Sequence, residues 1–593
     1  SITWLFRPQA GRCLMEKTYE RVGHFMATQH RFPAFGIFIA VVLRALPATA
    51  QGNAILLDGK SLTISQVIQV AVHNAPVAIA PSAMEQMRQS FNVLIAAAIK
   101  GLPIYGVNYG VGQNKDQPIF SGPLTSKDCE PSRQFNIRNL LATSAGAGPE
   151  APETVVRAAM LIRLNTMLVG RTGAQPRVAE LYRDFLNKGI HPVLPTHGSV
   201  GEADITILAH IGLAMMGEGE VNYNGHRMPA AQALADAKIE KLEPFGKDSL
   251  AIMSSNAYAA AVAVLAQDDV QRVLSLETQV LAISLEALNG NVSPFLPAVH
   301  SAHRTQELIA ANVLHLLRGS YLWSRDENRA LQDPLSFRTA SHVLAVAFDE
   351  DRELERRLLA QINSSDDNPA VIFGIKPDAD APEEVNAYYV GPVAVKNPCG
   401  PESAPQVSGA VIPTGNFEPL RWVVSLQATS IALSHVSRAA AARITRLDAP
   451  EFTKLSRFLT PDEKTTLAFS AIQKTYAALD AEIQALSGPV STNTVPLAGN
   501  IEDTATNSVL AAYRLQHIVD NLYTIVAIEL MHAAQAVDLR LRANPSLPLG
   551  GGTRPLFENF RSSVPFLDRD RELTKDIAKA TIFVRNAASD FSH

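Results

Sequence analysis

Pro195-Thr196-His197-Gly198-Ser199-Val200-Gly201-Glu202-Ala203-Asp204-Ile205-Thr206-Ile207-Leu208-Ala209-His210-Ile211-Gly212 changes character halfway along. Its first half sets Gly198 and Gly201 around Ser199-Val200, and its second turns apolar at Ile205, Leu208 and Ile211, the spacing of one helical face. This reads as a tight loop delivering its backbone to a helix N-terminus, where N–H groups without intrahelical partners gather. Asp204 stands where a carboxylate caps or complements a first turn.

Downstream, Gly217 to Gly225 reads as a hairpin turning at Asn224-Gly225. Lys247 to Met253 then leads into Ser254-Ser255-Asn256-Ala257. Upstream lies a glycine-rich loop, Pro103-Ile104-Tyr105-Gly106-Val107-Asn108-Tyr109-Gly110-Val111-Gly112, and no Lys-Ser/Thr follows its glycines, which excludes a P-loop. Residues 65–74, 82–100, 153–168 and 174–187 read as helices, Ile55 to Asp58 with Leu62 and Ile64 as a short hairpin, and 568–579 as a charged, solvated terminal helix. Stretches 257–288, 422–444 and 504–544 contain neither glycine nor proline. Helices of such length, roughly 35 to 60 Å, imply a bundle rather than an α/β sheet.

A chain of 593 residues with 47% hydrophobic and 18% charged residues buries a large core and divides into subdomains. The expected division is 1–50, upstream residues and a signal peptide; 51–250, a mixed N-terminal domain carrying active-site loops; 251–545, the long-helix bundle; and 546–593, a C-terminal loop and helix. The signal peptide rests on an apolar run over 34–46, interrupted by Arg44, preceded by His30-Arg31 and followed by Ala48-Thr49-Ala50. Export, to a periplasm for instance, is expected with a mature start near Gln51 and translation from Met26; without cleavage the chain would be cytoplasmic. The run is too short for a spanning helix of about 20 residues. A net charge of −5 gives no reason to expect nucleic acid. Cys13, Cys129 and Cys399 show no metal-like pairing, so neither a disulfide framework nor a zinc site is expected. His191, His197, His210 and His342 lack i, i+4 ligand spacing, and no metal is assigned.

Gly198-Ser199-Val200-Gly201 and the tail from Asp204 through Leu208-Ala209-His210 resemble the aromatic amino acid lyases, the family of histidine, phenylalanine and tyrosine ammonia-lyases. That family has Ala-Ser-Gly between lead and tail, cyclised into an electrophilic methylidene-imidazolone. Here only Glu202 and Ala203 intervene. Cyclisation needs a hydroxyl residue to dehydrate and a glycine whose nitrogen can attack, and an already collapsed triad would leave one position rather than two. The expected cofactor is therefore none. The resemblance also implies a mainly α fold of the fumarase/aspartase kind and a homotetramer whose active sites draw on several subunits.

Tyr105 falls on the family's Tyr-Gly-Val/Ile-Asn-Thr-Gly-Phe-Gly element, whose tyrosine takes the β-proton, and Asn108 belongs to the same element. Ala142 and Thr143 fall in the segment that selects the substrate ring. Gln332-Asp333-Pro334-Leu335-Ser336-Phe337-Arg338 matches Gln-Asp-x-Tyr-Ser-Leu-Arg, which puts Arg338 on the substrate carboxylate and Leu335 in place of a tyrosine. Asn363 with Asp367-Asn368-Pro369, and Gly415-Asn416-Phe417, match elements lining the site; Asn500-Ile501-Glu502-Asp503 puts Glu502 near the leaving amine. Ser254 replaces the asparagine that contacts the electrophile, and Glu202 with Ala203 occupies the electrophile's own position. The expected chemistry is carbon–nitrogen elimination from a β-aryl or imidazolyl α-amino acid, giving an α,β-unsaturated acid. Losing the electrophile calls for a better leaving group, such as the trimethylamine that ergothionase, a lyase-fold enzyme without the electrophile, expels from ergothioneine. The alternatives are an orthodox histidine or aromatic amino acid ammonia-lyase and an inactive exported protein that binds amino acids or betaines.

Overall fold

Long helices dominate the computed structural model, which describes residues 54–300, 303–464 and 466–589. The signal-peptide expectation lies outside these residues. The helices that matter for the site are α1 (Pro81–Lys100), α2 (Cys129–Thr143), α3 (Glu153–Met167), α4 (Ile205–Met215), α5 (Ala257–Leu288), α6 (Ala340–Ile362), α7 (Leu420–Leu447) and α8 (Ser508–Ala543). Their ends follow local chemistry. Pro81 opens α1 at a position that needs no N–H, and Gly101, at φ +79°, closes it. Across the glycine- and proline-free stretches α5 reproduces the expected limits, α7 extends slightly beyond them, and α8 starts late because Asn507, at φ +51°, precedes it.

α5 and α8 form the centre of the bundle. Both bury most of their residues within the fold, from Ala257 to Leu288 and from Ser508 to Val537, as befits helices hydrophobic on nearly every side. One ionic cluster ties three of the long helices together: Arg443 of α7 donates to Glu529 of α8 at 2.6 Å and to Glu277 of α5. Burial and the neighbouring Glu529 push Glu277 up to about 8.

Short strands serve the edges of the fold. β1 (Ile55–Leu57) pairs in parallel with β2 (Val77–Ile79), so the expected hairpin over 55–64 does not form. β3 (Ala147–Glu150) pairs with β5 (Pro195–His197), while β4 (Ile190–Pro192) pairs with the hairpin β6 (Glu220–Tyr223) and β7 (His226–Pro229). That hairpin turns at Asn224 and Gly225, both at positive φ, as its sequence requires. A three-stranded antiparallel sheet runs in the order β8 (Ala370–Phe373), β10 (Ser403–Ile412), β9 (Tyr389–Lys396).

The described residues form one compact unit. The expected division at 250/251 falls inside the helix Asp248–Met253, whereas 545/546 falls just past α8. The last helix runs over Leu573–Ser589 instead of 568–579 and buries Ala580 and Val584, so it is a packed element. Cys129 and Cys399, 270 residues apart, form a disulfide with Cα atoms 5.4 Å apart, contrary to the sequence expectation. It fastens the first residue of α2 to the turn between β9 and β10. Replacing either cysteine by serine is expected to lower the unfolding free energy by about 2–4 kcal/mol. A chain starting near Gln51 should show no free thiol when denatured and two after reduction, as measured with a thiol-reactive dye.

Candidate active site

Four helices begin around the loop Gly198 to Asp204. The Asp204 N–H donates to Ser255 O at 2.7 Å, just ahead of α5, and the Asn507 N–H donates to Val200 O at 2.6 Å, just ahead of α8. α4 follows the loop directly, and the Asn256 amide reaches Phe417 O, three residues before α7. The positive ends of α4, α5, α7 and α8 therefore gather on one turn. Gly201, at φ +101°, is required here because a Cβ would lie 2.8 Å from the backbone nitrogens of Asn507 and Ser508. Asp204 does not cap its own helix, as its position suggested. Its carboxylate accepts from the Ala259 N–H of α5 at 2.8 Å and from Ser199 Oγ at 2.7 Å. Burial raises Asp204 to about 7 in spite of these donors.

Glu202 projects from this turn into a group of acids. Burial, then Glu418 and Glu502, push its carboxyl up to about 8. The Glu202 and Glu418 carboxyls lie within hydrogen-bonding reach, and two acceptor groups can be joined there only by a shared proton. Glu202 Oε1 finds no protein partner among the described residues. Glu418 is anchored by the Leu420 N–H at the start of α7, 2.8 Å from its Oε1. Tyr105 stands on the Glu502 side. Its Oη accepts from the Gly112 N–H at 2.8 Å, and burial together with the Glu502 charge raises its pKa.

The remaining expected residues divide into supports and outliers. The Asn108 amide is spent inside its own loop, accepting from Ile104 N at 2.7 Å and donating to Leu102 O at 2.9 Å, so it shapes the loop that carries Tyr105. Asn368 Oδ1 accepts from Thr414 N at 2.9 Å and holds the approach to Phe417. Ala142 and Thr143 end α2, where Asn139 ties the helix to Ser249 Oγ at 3.1 Å. Ser254 is buried and donates its N–H to Leu250 O. The turn itself is held by Asn256, whose Oδ1 accepts from Ala203 N at 3.1 Å.

Arg338 and Leu335 are not brought to this group. Arg338 bonds Gln332 Oε1 at 2.7 Å, while Leu335 is 62% and Leu331 97% exposed. No interaction among the described residues links them to Tyr105, Glu202 or Glu502 within one chain. Sequence reasoning missed two residues, Asn256 and Glu418. Glu418 could have been found as the acid directly following Gly415-Asn416-Phe417.

Helix ends converging on a glycine turn, faced by a phenol and carboxylates, define a carbon–nitrogen lyase of the ammonia-lyase fold. Residues 62–562 match the family described as aromatic amino acid lyase, and the chain belongs to it. The solved structure of ergothionase from Treponema denticola, an ergothioneine-degrading enzyme in complex with desmethyl-ergothioneine sulfonic acid, is 35% identical with a TM-score of 0.79, covering 90% of this chain and 99% of that one. Histidine ammonia-lyase of Geobacillus thermodenitrificans is 31% identical over 538 residues, 90% of this chain and 98% of that protein. That of Myxococcus xanthus is 32% identical over 527 residues, 88% and 95% of the two.

Glu202 is protonated below about pH 8, which leaves the acid group one negative charge short. A small cation such as tetramethylammonium should consequently bind more tightly as pH rises through 8, with a proton released on binding at lower pH. Glu202→Gln should weaken binding roughly tenfold at pH 9, about 1.4 kcal/mol, and abolish the pH dependence, as read by thermal shift against tetramethylammonium.

Proposed function

We propose that this lyase removes a quaternary amine from a β-imidazolyl or β-aryl α-amino acid, giving the α,β-unsaturated acid without a methylidene-imidazolone. The observation that carries this reading is the set of three carboxylates, Glu202, Glu418 and Glu502, beside the Tyr105 phenol. The residues at the turn do not fit the family's prosthetic group. Glu202 has no hydroxyl to lose, and Ala203 carries a Cβ at φ +68° with its N–H committed to Asn256.

A quaternary nitrogen keeps its charge at every pH and leaves as a neutral amine without needing a proton. Its charge disappears as the bond breaks, so the carboxylates bind and select the substrate rather than lower the barrier. The same cation, lying next to Tyr105, favours the phenolate over the phenol. The phenolate takes the β-proton, the C–H pair becomes the new double bond, and the C–N pair departs with nitrogen. Arg338 suits the substrate carboxylate as a planar two-pronged donor. Its half-buried position, beside the exposed Leu331 and Leu335, supports a homotetramer in which Arg338 of the partner subunit closes the site. Phe417 and the end of α2 at Ala142 and Thr143 then bound the ring. The disulfide supports export, since such bonds persist in oxidising compartments.

Similarity to histidine ammonia-lyases favours a second reading, ammonia release from histidine itself. Both are tested by incubating the purified chain from near Gln51 with histidine, phenylalanine, tyrosine and ergothioneine, following acrylate absorbance and released amine. Trimethylamine from ergothioneine, cut roughly 10²–10⁴-fold in Tyr105→Phe, is the expected result. Ammonia from an unmodified amino acid would overturn the proposal in favour of the second reading.

A further inference from the structure

The geometry around α5 points to a residue that the family resemblance does not supply. We infer that Asn256 is a positioning residue whose side-chain amide clamps the Glu202-Ala203 turn to the Phe417-Glu418 loop, so that both glutamates face one bound cation. This rests on the reading above and names what sets its specificity.

Asn256 is fully buried, and both ends of its amide are used. Oδ1 accepts from the Ala203 N–H at 3.1 Å, and Nδ2 donates to Phe417 O. Each partner is the immediate neighbour in sequence of an acid, Glu202 on one side and Glu418 on the other. A primary amide is the one short side chain with a donor end and an acceptor end set back to back. Serine, threonine or leucine at this position could serve at most one loop reliably.

The pivot itself is rigid. The Asn256 N–H and Ser255 Oγ both donate to Asp366 Oδ2, at 3.0 and 2.7 Å, and Asp366 is held by Arg163 at 2.9 Å. The Asn256 carbonyl takes the Ala260 N–H at 2.9 Å as α5 begins. The turn that it grips needs such a restraint, since Ala203 holds a left-handed φ of +68° that a non-glycine residue adopts only when held there. Glu418 has a second tether, Leu420 N–H, which fixes its carboxylate relative to α7 but not relative to Glu202. The Asn256 amide supplies that missing link. Around Glu202 the charged and titratable groups are Glu418, Glu502 and, across Glu502, Tyr105.

Asn256→Leu keeps the volume and removes both hydrogen bonds; Asn256→Ala removes them along with the volume. An effect common to the two belongs to the amide rather than to a cavity. Hydrogen exchange read by mass spectrometry needs no substrate, and in both variants the peptides covering 200–204 and 413–420 should exchange faster together. Unchanged exchange in these segments would overturn the clamp whatever the activity. For function, either variant should raise KM for ergothioneine about tenfold with kcat altered less than threefold. In a Glu202→Gln background the same change should raise KM less than twofold, because Asn256 acts through Glu202. Additive effects would show a role in general stability and overturn the inference. Should the wild type release no trimethylamine while the two segments loosen together, the clamp stands and the proposed function falls. Circular dichroism checks folding, and if Asn256→Ala does not fold, Asn256→Leu carries the comparison.

Discussion

Arg163 lies in the interior with no solvent exposure, its two terminal nitrogens each 2.9 Å from a carboxylate oxygen, one of Asp366 and one of Asp367. Lys247, also fully buried, sits 3.4 Å from Asp367 and donates to Thr172 O at 3.1 Å. Two cations and two anions thus share a dry site, where a lone member would be prohibitively costly and breaking such a cluster costs about 3–5 kcal/mol. Burial alone would raise both acids. For Asp367 it is outweighed by Arg163 and Lys247, which hold the carboxyl below its usual range; for Asp366 burial prevails. The cluster stitches α3 to the helix Asp248–Met253 through Ala251 O and to the loop after α6. Asp366 then fixes Ser255 and Asn256, and Asp367, through its backbone carbonyl, fixes Thr414 at 2.7 Å. Both loops that meet at the acids hang from this one ionic group.

The fold was legible because its long helices announce themselves by what they lack. A run free of glycine and proline from 257 to 288 can form only one long regular element, and Asn289 at φ +66° stops it where the periodicity ends. The site was legible in its residue types but not in its partnerships. Tyr105 and Glu502 were identified from flanking residues, yet nothing local in the chain links Glu202 to Glu418 or Cys129 to Cys399, pairs separated by more than two hundred residues. Asp204 illustrates the same gap: adjacency assigned it to α4, whereas the tertiary fold gives it to α5. Asn368 belongs here too, since its match to a site-lining element conceals a structural task, accepting from Thr414 N.

Helix polarity gives the substitution at the turn its meaning. Four helices direct their positive ends at residues 198–204 because each must begin where the loop lies, and that field exists whatever side chain occupies the turn. An electrophile would be made more electron-poor by it. A carboxylate is instead stabilised, which opposes the burial and the crowding by Glu418 and Glu502 that drive Glu202 to hold its proton. Below about pH 8 the acid group is thereby balanced between a protonated resting form and an ionised form that a further positive charge makes favourable.

That balance couples substrate charge to base strength. An amino group that has already given up its proton would find a protonated Glu202 and a Tyr105 phenol kept from ionising by burial and Glu502. In the proposed function a permanent cation would displace the shared proton, and its field would reach Tyr105 at the same time, so one charge would both hold the substrate and favour the base. In that reading, binding a charged leaving group would need no recognition of the methyl groups that surround it, and what sets a quaternary amine apart from an ammonium is that it leaves neutral without a proton having to move. Such binding would follow from electrostatics, once Asn256 holds the two loops close enough for Glu202 and Glu418 to contend for one proton.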